Sequence, residues 1–134
     1  MGPHVHFDLT QQWAVTAGLD EIAECIARAD VELDWTHPAR GSVGNMSRHF
    51  GLTACLWAEW YLYRACRDRS CEDLGRALHC VQDAIAHGVL GLKHVRHMAG
   101  LARDPDDWDA ATLRVRRAIE RRSVSMLCRF RPAQ

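Results

Sequence analysis

Residues 74–97 read LGRALHCVQDAIAHGVLGLKHVRH. His79, Asp83 and His87 stand four apart, and His94 and His97 follow. On an α-helix each four-residue step turns about 40° and climbs about 6 Å. The three side chains therefore form one slightly spiralling row, with Leu78, Val81 and Ile85 beside it. Two imidazoles and a carboxylate on such a stripe are costly to bury without a partner. Two readings of the row stand side by side: a divalent metal site, or a helix with two partly buried histidines and an Asp paired to an Arg. His79 and His87 lie about 12 Å apart along an unbroken axis, too far to share one ion easily. Asp83 lies between them with two oxygens. A metal here therefore implies a cluster, since paired ions sit about 3.5–4 Å apart, within reach of one bridging carboxylate.

Working outward, Ser70-Cys71-Glu72-Asp73 has capping-box spacing, with Asp for the usual Glu or Gln, and opens this helix. Gly88 and Gly91 bend or end it, so His94 and His97 need not continue the row. Upstream, His49-Phe50 precedes a long helix to about Arg67. Leu52, Leu56, Trp57, Trp60, Tyr61 and Tyr63 are its expected buried face. The stretch THPARGSVGNMS, residues 36–47, reads as the longest loop. Residues 1–8 read as extended, and Asp8 caps a short helix, Leu9 to Ala17, closed by Gly18. Asp20 caps a second helix from Glu21 to Ala29, and the acidic run DVELDW follows. Asp104-Pro105-Asp106-Asp107 reads as the start of a last helix to about Leu127, with Trp108, Ala111, Val115, Ile119 and Met126 inward. No β-alternation is present. The expected fold is all-α: a compact single-domain bundle of four to five helices, residues 1–134, around a metal cluster.

Composition bounds the function. The chain has 134 residues, 48% hydrophobic and 25% charged, which is ordinary for a globular domain. No run of 18 apolar residues exists, so no transmembrane segment is expected, and nothing resembles a signal peptide. The expected location is cytoplasmic. The six cysteines form no CxxC pair and are expected to be reduced core residues. Formal net charge is zero, yet seven Arg and one Glu follow Leu113. Such a tail can meet nucleic acid, but a solvated helix face is favoured. Eight histidines, with no tag-like run, are the anomaly.

The histidines and acids fall in order: His4 and His6, Asp30 and Asp34, His49, the row at His79, Asp83 and His87, then His94 and His97. HFDLT near the start, a helix ending in acids, RHF, and LGRALHCVQDAIAHG resemble the superfamily of bacterial zinc-dependent phospholipase C and the fungal single-strand nucleases. The resemblance spans roughly residues 4 to 97. It implies two or three Zn²⁺ ions in an all-α fold and hydrolysis of phosphate esters by metal-activated water. Asp34, His49, His79 and Asp83 would hold one ion. Asp83 would bridge to a second ion bound by His6. His87 and either His94 or His97 would hold a third. Asp34 and Asp83 are the expected catalytic carboxylates. In members of that superfamily the processed N-terminal residue is a ligand; this chain begins with Met1, so either His4 replaces it or that ligand is missing. The Glu expected four residues after the later His is missing, since Met98 follows His94 and Leu101 follows His97. Asp104, Asp106 and Asp107 are the candidates to replace it.

Arg76 is expected to pair with a carboxylate or contact a phosphate, and Gln82 to orient a ligand through a hydrogen bond. Three functions fit these residues: a metal-dependent hydrolase acting on a small-molecule or lipid phosphate ester, a non-catalytic metal-binding accessory or scaffold protein, and a metal-free bundle that binds a partner. The oligomeric state is open.

Overall fold

The structure, a computed structural model, describes residues 2–39, 41–88 and 92–130, without the side chain of His94. Its central helix, α5, runs Cys71–His87. The Ser70 hydroxyl accepts from the Asp73 N–H at 3.1 Å, which is the expected cap. Gly88, at φ +70°, ends the helix where its flexibility was expected to. Around α5 pack α2 (Ala23–Thr36), α4 (Gly51–Asp68) and α7 (Leu113–Arg129), while α3 (Val43–His49) covers its C-terminal part. A π-helical turn, His4–Leu9, runs into α1 (Thr10–Thr16), and α6 (Leu92–Met98) follows α5. Among the described residues there are seven α-helices and no strand. The all-α class is as expected. The count exceeds four or five because α3 begins in the segment read as the longest loop and α6 forms after the glycines expected to bend or end the central helix.

The α2–α5 crossing sets the distance between two donor-bearing helices. Gly75 is its closest point: a Cβ there would overlap the carbonyl oxygen of Ile26 and come within 2.8 Å of Ala29 Cβ. One turn earlier, a Cys25–Cys71 disulfide joins the same helices. The expectation of six free cysteines is thus corrected. Sequence spacing is blind to two cysteines brought together by a helix crossing, and the Cα–Cα distance of 5.9 Å is the ordinary one for a bridge. Of the other four only Cys80 is buried.

Helix α4 buries only part of the expected set. Ala54, Ala58, Tyr61, Leu62 and Ala65 face the core, whereas Leu52, Leu56, Trp60 and Tyr63 are exposed. Three alanines let α4 lie close against α5; the larger residues would hold it away. Trp57 is partly buried against the core. Two further segments differ. Residues 30–36 continue α2 rather than leaving it, so Asp30 and Asp34 stand one turn apart on one helix. Residues 104–112 are turns, not the start of the last helix, which begins at Leu113 under a Thr112 cap. There Asp104 and Asp107 accept from the backbone N–H groups of Asp106, Asp109 and Ala110, which is turn chemistry rather than helix capping. No described helix is long and apolar enough to cross a membrane.

Candidate metal centre

The row expected on α5 forms: His79, Asp83 and His87 are all buried. Three other segments bring donors to it. Helix α2 carries Asp34 on its last turn, α3 ends on His49, and the N-terminal π-helical turn carries His6. That turn was expected to be extended. Its wider winding still turns His6 and Val5 inward, and both are fully buried.

One donor set consists of Asp34, His49, His79 and Asp83. A tetrahedral Zn²⁺ with bonds of about 2.0–2.1 Å holds its donors about 3.3–3.4 Å apart. Here His79 Nε2 lies 3.1 Å from His49 Nδ1, 3.5 Å from Asp34 Oδ1 and 3.3 Å from Asp83 Oδ2. His49 Nδ1 lies 2.8 Å from Asp83 Oδ2 and 3.8 Å from Asp34 Oδ1. The opposite ring nitrogens are engaged elsewhere. His79 Nδ1–H donates to the Asp30 carbonyl oxygen at 2.8 Å, and His49 Nε2–H to the His37 carbonyl oxygen at 2.8 Å. Those bonds leave His79 Nε2 and His49 Nδ1 as lone pairs facing one another whenever both rings are neutral. A proton or a cation between them removes the conflict. This arrangement of ring nitrogens, each ring anchored by a donated bond behind it, is that of metal-bound histidine.

The other compact His/Asp group among the described residues is His6, Asp30 and His79. Asp83 also turns its second oxygen toward two further histidines. His6 Nε2 and His87 Nε2 each lie 3.4 Å from Asp83 Oδ1, and His87 Nε2 lies 3.4 Å from Asp106 Oδ1. Gln82 fixes the tautomer of His6. Its amide N–H donates to Thr10 Oγ1 at 2.9 Å, so its Oε1 accepts from His6 Nδ1–H at 2.9 Å. His6 Nε2 is then a lone pair, and it has no hydrogen-bond partner among the described residues. A fully buried lone pair beside a carboxylate oxygen is a poor hydrogen-bonding arrangement and a good ligand pair.

The chain finds no match among family models, curated proteins or solved structures. The site therefore stands on its own geometry. Its electrostatics in the absence of metal follow from burial and proximity. Burial opposes charging His79, yet Asp83 beside it, together with Asp30, pushes its pKa up to about 10. Burial and the His79 charge oppose protonation of His6, yet Asp30 raises it. Burial likewise opposes ionising Asp83, and the surrounding positive charge, His79 included, with hydrogen bonds from His49 and His6, holds it well below the usual carboxylate range. Without metal, His79 thus carries a proton beside the Asp83 carboxylate, where a cation fits.

Of the other expected residues, Asp30 is fully buried and lies behind His6 and His79, outside the Asp34 set. His97 is not brought to the cluster: its ring contacts the Ala102 carbonyl oxygen at 3.2 Å and Asp104 at 3.9 Å. The His94 side chain lies outside the described residues. His4 is exposed and pairs with Asp8 at 2.9 Å. Asp106 is the one of the three candidate acids that reaches His87. Arg76 pairs with the buried Asp73 at 2.8 Å, so it is a structural partner. The His37 carbonyl was missed altogether; as a backbone group it leaves no signal in residue identities.

Proposed function

We propose that this protein is a zinc-dependent hydrolase of phosphate esters built on a two-ion centre. Asp34, His49, His79 and Asp83 would hold one ion, and His6, Asp83, His87 and Asp106 the other. The observation that carries the proposal is Asp83: buried, with one oxygen within 3.3 Å of His79 and the other 3.4 Å from both His6 and His87. Imidazole and carboxylate donors suit Zn²⁺. Bound zinc would supply charge to polarise a phosphoryl oxygen and would lower the pKa of water. The resemblance to zinc-dependent phospholipase C and the single-strand nucleases supports the same reading, as does the meeting of His6, His49, His79 and Asp83 in one place.

The chain's own residues divide the remaining work. Asp83 faces both donor sets, which leaves it no free role in proton transfer. Asp34 has a side chain 46% exposed, marking the open side of the centre, and it is the carboxylate placed to accept a proton. Phe50 packs edge-on against His87, with ring centroids 5.2 Å apart. Some of the arginines on α7 are paired within the fold: Arg122 and Arg129 share Glu59, and Arg116 lies 3.8 Å from Asp109. That keeps nucleic acid as the less favoured partner and a small-molecule or lipid phosphate ester as the favoured one. The Cys25–Cys71 bond favours an oxidising compartment over the cytoplasm.

A second reading is a metal-stabilised helical scaffold without catalysis. It is favoured by burial, since only Asp34 and Asp106 among the donors are substantially exposed. Hydrolysis of bis-p-nitrophenyl phosphate by the zinc-loaded protein separates the two. Turnover that chelation abolishes and zinc restores supports the hydrolase. Two bound ions without turnover on this and a panel of phosphate monoesters and phospholipids supports the scaffold.

A further inference from the structure

Asp30 is a fully buried acid that groups with His6 and His79 and lies outside the two ligand sets proposed above. Its Oδ2 accepts from the Thr10 hydroxyl at 2.8 Å. Its Oδ1 lies 2.8 Å from His6 Nδ1, an N–H that Gln82 Oε1 also faces, and 3.4 Å from His79 Nδ1, whose N–H donates to the Asp30 carbonyl oxygen. The two rings are stacked, with centroids 4.2 Å apart and planes within 20°. Stacking turns both Nδ1 edges toward Asp30 and both Nε2 edges toward Asp83, whose oxygens lie 3.4 Å from His6 Nε2 and 3.3 Å from His79 Nε2. Two imidazoles are thus clamped between two carboxylates, one on each edge.

We propose that Asp30 is a positioning residue common to both ions, a single outer carboxylate that backs one histidine ligand of each. The proposal rests on the two-ion reading above. A buried carboxylate is unfavourable unless positive charge lies close by. Metal binding to Nε2 supplies it, because a ligated imidazole carries more positive charge on its Nδ1–H. In return, a carboxylate behind a histidine ligand makes the ligating nitrogen more basic and holds the ring in place. Most such partners serve one metal. Here the stack lets one oxygen serve two. Gln82 is the internal comparison, since its Oε1 meets His6 alone. Asp34, one turn along the same face of α2, remains the direct donor, which separates the roles of the two acids the helix carries.

The test is a zinc titration of the metal-free protein against a chromogenic chelator, with cobalt substitution to follow each site by its visible absorption. Three variants are compared with wild type: Asp30→Asn, Gln82→Met and Asp30→Glu. Asp30→Asn keeps the size of the side chain, the Thr10 bond and the backbone carbonyl that holds His79. It is expected to weaken both ions by about ten-fold or more. Gln82→Met is expected to weaken only one of the two. Asp30→Glu keeps the charge in a poorer fit. A charge role makes it bind both ions more tightly than Asp30→Asn, whereas a packing role reverses that order and is read independently from thermal unfolding of the metal-free variants. Asp30→Asn that weakens one site or neither, in a background where wild type binds two ions, overturns the proposal and leaves the two-ion reading intact. Wild type that binds no zinc overturns both.

Discussion

Gly75→Ala perturbs the contact on which the centre's geometry depends. Within a helix, Ala is favoured over Gly by about 1 kcal/mol. Against that, the new Cβ overlaps the Ile26 carbonyl oxygen and stands 2.8 Å from Ala29 Cβ and 2.9 Å from Asp30 N. Overpacking a core contact costs about 1–3 kcal/mol. Because the obstacles include backbone, which cannot rotate aside, the upper end applies. The net expectation is a loss of about 2 kcal/mol, or about 6–10 °C in Tm for a chain of this length. The relief route is a shift of α2 away from α5. That shift carries Asp34 away from His79, now 3.5 Å distant, and leaves the distances among His6, Asp83 and His87 less affected. Calorimetry of the metal-free protein and a two-site zinc titration read the two effects separately. Gly75→Ala should lower Tm and weaken the ion held by Asp34 most, with a smaller loss at the other because Asp30 moves with the same helix. A variant as stable as wild type, or one that keeps wild-type affinity at the Asp34 site, would refute the claim that this crossing sets the first donor set.

Other expectations follow from the same contacts. His79, raised to about 10, and His6, also raised, stabilise the metal-free fold fully below pH 6.5 and lose that contribution as pH climbs toward 10. Asp83, lowered, contributes above pH 3.8 and loses it as pH falls through its folded value. Metal-free protein should therefore unfold most reluctantly between roughly pH 4 and 6.5, and zinc should abolish the alkaline loss; equal Tm values at pH 6 and pH 9.5 without metal would contradict this. Reducing Cys25–Cys71, which closes a loop of 46 residues, should cost about 4 kcal/mol by chain entropy, measured by urea unfolding with and without reductant. Asp106→Asn should release one ion of two, while His97→Ala should leave zinc content and affinity unchanged, both read by metal analysis after gel filtration.

The central helix was legible because its signals agree: a Ser70 cap, a row at four-residue spacing and a stop at Gly88. The extension of α2 to Thr36 was not, since DVELDWT lacks a clear apolar stripe, and Asp30 and Asp34 could not be sorted until that helix was continuous. On α4 only part of the expected set is buried, because close helix packing here selects alanines. Residues 104–107 carry every sign of a helix start, but the same aspartates serve turns equally well. Spacing alone put His79, Asp83 and His87 in one row and left two readings of it, a metal site or a metal-free buried cluster. His6 and His49 gained weight only from the order of the segments. The choice of Asp106 and the Cys25–Cys71 pairing depend on three-dimensional approach, which spacing does not carry.

Zinc content of wild type and Asp83→Asn, purified without chelator, bears most directly on the two-ion centre. Asp83 is the one side chain that faces both donor sets, so wild type should carry two zinc ions per chain and Asp83→Asn close to none. Wild type without zinc, or Asp83→Asn that keeps both ions, would contradict the bridged centre.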